Sequence, residues 1–135
     1  MLVKFIRCRV EAGSREKFSL AQMGWEPLKH VPGFIRQFGG WTRPEGDADA
    51  VIFGLWESRA SYDYFMDHLH DRLIEGSSQE RYFQSISVVL YEVDEGMIHG
   101  TAASKGLLDI LGEKLGIETR EVELAGEWEV RTAIS

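Results

Sequence analysis

The sequence predicts an α+β domain with the order strand, helix, strand, strand, helix, strand, followed by an extension. Three observations carry this prediction. Segments with a two-residue apolar period alternate with segments of helical period over residues 1–95. Cap and turn residues fall at the joints between them. Two of the strands are apolar on both faces, which suits only a sheet buried on both sides. The chain has 135 residues and is 44% hydrophobic, enough for one core of ordinary size.

Leu2 to Val10 alternates as a strand. Leu2, Ile6, Cys8 and Val10 share one face, with Lys4 the exception, and Val3, Phe5, Arg7 and Arg9 share the other. Ser14 is the expected N-cap of the first helix, with Glu16 in its first turn. Phe18, Ala21, Trp25 and Leu28 then form an amphipathic stripe. Pro27 weakens the end of that helix, and Val31-Pro32-Gly33 stops it. Phe34 to Arg43 is a second strand, with a bulge or bend expected at Gly39-Gly40. Pro44-Glu45-Gly46-Asp47 is turn chemistry, and Ala50 to Trp56 is a third strand without a polar side chain.

Ser58 is the next N-cap. Tyr62, Phe65, Met66, Leu69 and Leu73 give one apolar helix face, and Gly76 is the expected C′ stop. Gln84 to Val93 is the fourth strand. This order is a ferredoxin-like βαββαβ unit over residues 1–95, with both helices on one sheet face. The opposite face needs a cover, and a second copy of the chain in a two-fold homodimer is the expected one.

Residues 96–135 read as an extension. Thr101 to Leu115 has Leu107, Leu108, Leu111 and Leu115 on one side, with Gly116 as its stop. Glu118 to Leu124 and Glu127 to Ile134 alternate like a half-exposed hairpin turning at Ala125-Gly126.

Charge and cysteine content exclude several classes. A net charge of −7 disfavours nucleic acid as a partner. One cysteine cannot make a disulfide framework. No apolar run approaches a membrane span, and charged residues interrupt the N-terminal apolar stretch, so the cytoplasm is the expected location. Phosphate-loop, dinucleotide and zinc patterns are missing from the sequence, and neither a metal nor a cofactor is expected.

Three segments, Val31-Pro32-Gly33-Phe34, Phe53-Gly54-Leu55-Trp56-Glu57-Ser58 and His68-Leu69-His70-Asp71-Arg72, together with the strand order, resemble the dimeric α+β barrel superfamily that includes antibiotic-biosynthesis monooxygenases. Lys4-Phe5-Ile6-Arg7-Cys8, Gly39-Gly40-Trp41 and His70-Asp71-Arg72 look most like a small bacterial branch of that superfamily with no assigned function. The resemblance covers residues 1–95 and implies a dimeric barrel. It also implies kinship with cofactor-independent oxygenases acting on polyketide or quinol aromatics, and with haem-degrading enzymes. The haem-degrading pattern needs an Asn on strand one, a Trp on helix two and a His beyond it. Those positions fall on Cys8 or Arg9, on Phe65 and near Glu75, so that triad is absent.

The candidate catalytic residues are His70, Arg7 and Arg9. His70 lies about 80° from the centre of the second helix's apolar stripe, where it can reach a cavity mouth. It could take a proton from a phenol or quinol, or simply bond a loop carbonyl. Arg7 and Arg9 could stabilise an anion or enolate, or form a structural ion pair. Trp41, Trp56, Tyr62, Phe65 and Tyr91 are candidate substrate-binding walls, with plain packing as the other explanation. His68 points towards solvent, and Cys8 reads as an inert core thiol.

Two functions remain open on the sequence. One is a cofactor-independent monooxygenase-like enzyme acting on a small aromatic or quinol-type substrate. The other is a non-catalytic dimeric module that binds a small hydrophobic ligand or a protein partner.

Overall fold

A computed structural model of the chain describes residues 1–74, 82–94, 96 and 103–134. The expected stop at Gly76, the residue Glu75 and the start of the last helix at Thr101 lie outside them. The described elements are β1 (Leu2–Val10), α1 (Arg15–Gln22), β2 (Phe34–Trp41), β3 (Ala48–Trp56), α2 (Arg59–His68), α3 (His70–Ile74), β4 (Ser85–Glu92), α4 (Ser104–Leu115), β5 (Glu123–Leu124) and β6 (Val130–Arg131). The ferredoxin-like α+β class is therefore the observed one. No helix of the described residues is long and apolar enough to cross a membrane.

All strand pairings are antiparallel, in the order β4-β1-β3-β2-β5, with β6 also on β2. Central β1 pairs with two strands, so Phe5 lies opposite both Phe53 and Val89, and Lys4 opposite both Gly54 and Leu90. Alternation then sorts the side chains. Leu2, Phe34 and Trp56 pack under Leu28, Tyr62 and Phe65 of the helical layer. Val3, Phe5, Phe38 and Phe53 lie on the other face, where Phe53 stacks on Phe38 at 5.5 Å between ring centroids.

That other face is not bare. Leu107, Leu108 and Leu111 of α4 are buried in the same cluster as Phe5, Phe38 and Phe53. The chain's own helix covers this face over Phe5, Phe38 and Phe53, while Val89 on β4 stays 39% exposed. The apolar stripe of α4 and the both-sided apolarity of β3 satisfy each other within one chain.

The local joints mostly follow their chemistry. Ser58 caps α2, its hydroxyl accepting from the Ser61 backbone N–H at 3.1 Å. Gly116 ends α4 with φ 69°, the left-handed conformation that favours glycine. Ser14 stands at the N-cap position of α1, but it also closes a 3-10 turn and its side chain makes no capping bond. The first helix is α-helical only to Gln22 and continues as 3-10 turns over Met23–His30, because Pro27 offers no N–H to an α pattern. The second helix breaks at Leu69.

The bulge in β2 falls between Phe34 and Arg36 rather than at the glycines. Gly39 and Gly40 serve close approach instead. A Cβ on Gly39 would strike the Val51 carbonyl, and one on Gly40 the Glu123 carbonyl.

The end of the chain is not a hairpin. β5 and β6 each pair with β2 and not with each other. Between them the chain passes around the sheet edge from one face to the other. Val122 packs with the α4 cluster, whereas Trp128 packs with Phe18 and Val10 on the helical side. The indole N–H of Trp128 donates to Ser19 Oγ at 2.7 Å, tying this turn to α1.

Candidate active site

A narrow cavity of about 60 Å³ opens between the helical layer and the sheet. Its walls are largely apolar, with Trp25, Trp56 and Phe65 the large rings. Besides the two indoles, five nitrogen- or oxygen-bearing side chains line it: Lys4, Gln22, Gln37, Tyr62 and His70. An apolar cleft with a few placed polar groups is the usual form of a small-molecule site.

Lys4 is the charge in this cleft. It stands on β1 with Gly54 and Leu90 as its cross-strand neighbours, so one flank carries no side chain. Its Nζ lies 5.2 Å from the centroid of the Tyr62 ring, a cation–π arrangement. No carboxylate among the described residues pairs with it. Burial alone lowers its pKa from 10.5 to about 8. Burial likewise raises the Tyr62 phenol. The Cys8 thiol is pushed up to about 12, by burial first and then by Asp49, so it stays protonated and inert.

His70 reaches the cavity because the helix breaks just before it. Leu69 has φ −124°, and α3 restarts at His70. The imidazole meets the edge of Phe65 at 5.7 Å and lies at 5.8 Å from Trp25. Its Nδ1 is 3.3 Å from Asp71 Oδ1. The loop-carbonyl partner considered for it is thus replaced by a neighbouring carboxylate.

Trp56, Tyr62 and Phe65 line the cavity, as expected of wall residues. Trp56 meets Tyr62 edge-on at 5.8 Å and Phe65 at 5.0 Å. Four other candidates lie elsewhere. Arg7 and Arg9 project from the opposite face of β1 and bind Asp49 at 2.6 and 3.3 Å. They do not line this cavity; with Thr42, Arg43, Glu118 and Glu121 they line a second cleft of about 260 Å³ on the other face. Tyr91 is opposite Val3 on the α4 side. Trp41 lies at the far end of the helical face, against Phe18 at 5.6 Å and Trp128 at 5.2 Å, with the Arg15 guanidinium 4.3 Å above its ring. The extension supplies Trp128, which turns Trp41 into packing.

Lys4, Gln22, Gln37 and Trp25 were not among the expected site residues. For Lys4 a signal existed: it is the one charge on an otherwise apolar strand face. A half-buried charge without a carboxylate partner among the described residues is costly, so its retention points to use. The two glutamines carry no such mark.

Comparison with known proteins places this geometry. At the level of fold, the chain is similar to a haem-degrading protein, MhuD of Mycobacterium tuberculosis, solved with two haems in its active site: TM-score 0.55, 18% identity, 69% of this chain and 95% of that one. It is equally similar to an antibiotic-biosynthesis monooxygenase-like protein of Bacillus cereus, with TM-score 0.56, 17% identity and coverage of 76% and 95%. A monooxygenase of Streptomyces coelicolor in complex with nanaomycin D matches at TM-score 0.52 and 22% identity, covering 69% and 87%. In sequence, the protein YdbC of Bacillus subtilis is 41% identical over 100 residues, 73% of this chain and 84% of its own length. The model of the domain of unknown function DUF4937 matches residues 2–91, and the chain belongs to that family.

Proposed function

We propose that this chain is a cofactor-independent monooxygenase-like enzyme whose substrate is a small aromatic or quinol-type molecule held in the cavity between helices and sheet. The observation that carries the reading is the meeting of His70 with a ring-lined cleft, in a fold shared with oxygenases. Trp25, Trp56 and Phe65 offer flat apolar walls to an aromatic ring. Histidine is the side chain suited to exchange a proton near neutral pH, and His70 is positioned to take one from a hydroxyl at the cavity mouth. The ionised, electron-rich ring is then the reductant for O2.

An oxygen-electrode screen of quinols and phenols tests this, wild type beside His70→Ala. Loss of His70 as general base should slow turnover by about 100-fold or more. Equal rates would remove His70 from the chemistry. Saturable binding without oxygen uptake would favour the non-catalytic binding module.

A further inference from the structure

We propose that the cavity selects aromatic acids, meaning a flat ring carrying one ionised oxygen, with the Lys4 ammonium as the ligand's counter-ion. The inference rests on the cavity being the ligand site and adds the charge its ligand should carry. Lys4 is half-buried, its Nζ lies against the Tyr62 ring, and no carboxylate among the described residues balances it. A charge held largely out of water for structure alone is normally given a partner. Lys4 instead faces open space lined by aromatic rings. A ligand that brings an anion on a flat ring supplies both missing contacts at once, the ion pair and the ring stacking. Gln22 and Gln37 line the same space and can donate amide N–H groups to the second oxygen of a carboxylate.

Carboxylate and phenolate share this chemistry, and two probes separate them. Benzoate and its neutral counterpart benzamide are titrated against the whole chain by tryptophan fluorescence, with Trp25 and Trp56 in the cavity wall as reporters. The visible band of 4-nitrophenol shows whether a phenol is bound in its ionised form. Benzoate should bind at least tenfold more tightly than benzamide. Lys4→Met, which keeps the length of the stem, should lose that preference while still binding benzamide. Lys4→Gln should behave the same way, and a thermal melt confirms that each variant is folded.

Binding should also depend on pH. Protonation of an amine titrating at about 8 falls from about nine-tenths at pH 7 to about one-tenth at pH 9. Benzoate affinity should therefore drop about tenfold over that range in the wild type and stay flat in Lys4→Met. The other titratable side chains lining the cavity are Cys8, Tyr62 and His70. Cys8 stays protonated throughout, and Tyr62 is raised by burial. Repeating the profile in His70→Gln isolates Lys4, because the tenfold drop should persist there.

Equal affinity for benzoate and benzamide would overturn the role of Lys4 while leaving the cavity as the site. So would benzoate binding that Lys4→Met leaves unchanged. Failure of every probe to bind would overturn both readings. If the carboxylate alone binds, the ligand is a carboxylic acid; if 4-nitrophenol also binds ionised, phenolates are included.

Discussion

Replacing Lys4 by methionine should stabilise the unliganded protein. The amine titrates at about 8 in the folded chain and at 10.5 when exposed. Each pH unit of such a difference is worth about 1.4 kcal/mol, so the charged form is held at a cost of about 3 kcal/mol. The contact with Tyr62 returns about 0.5–1 kcal/mol of this. Methionine keeps the stem's packing and removes the charge, for a net gain of about 2 kcal/mol at pH 7 and a rise in Tm of roughly 7 °C.

The sign with pH follows from proton counting. Below pH 8 both states bind the proton and the penalty is present in full. Between 8 and 10.5 the unfolded chain holds more protons than the folded one, so wild-type stability rises relative to the variant. Above 10.5 the amine is neutral in both states and the difference should vanish. Urea denaturation of both proteins at pH 7, 8, 9 and 10.5 measures this, and subtracting the curves cancels the other lysines and tyrosines. A variant less stable than wild type at pH 7, or a difference that does not shrink with pH, would refute the reasoning.

Three further outcomes test the fold. Leu108→Ala should cost about 3 kcal/mol in a urea melt, because Leu108 is fully buried between α4 and the sheet; a cost under about 1 kcal/mol would mean that α4 is not seated there. Deleting residues 104–134 should strip the cover from Phe5, Phe38 and Phe53, and light scattering should then show dimers or larger aggregates; a soluble monomer would contradict the packing. The Cys8 thiol, buried and pushed up to about 12, should react with an aromatic disulfide reagent at least 100-fold more slowly in the native protein than in denaturant, and comparable rates would show that it is accessible.

The strand and helix order over residues 1–95 was legible because alternation and helical stripes are local signals, and so was the cap at Ser58. His70, Trp56, Tyr62 and Phe65 were legible as cavity candidates for a related reason: their positions on one helix and one strand imply a common face. The choice between the two faces of β1 was also present in the pattern. Lys4 and Arg7 stand three residues apart on one strand, and odd spacing sends them to opposite sides. What the pattern does not contain is which cleft each face leaves open and what lines it.

That is a matter of what packs on each side, and residues distant in sequence decide it. Alternation by itself determined that both faces of β3 would be buried. Only the tertiary structure decided that α4, about fifty residues further along the same chain, would bury one of them. Likewise the aromatic character of Trp41 is written in the sequence. Its role as packing follows from Trp128, which is brought to it by a chain passing around the edge of β2. Periodicity records which side a residue faces. The partner on that side depends on long-range contacts, and these placed the charge of Lys4, rather than those of Arg7 and Arg9, in the cavity.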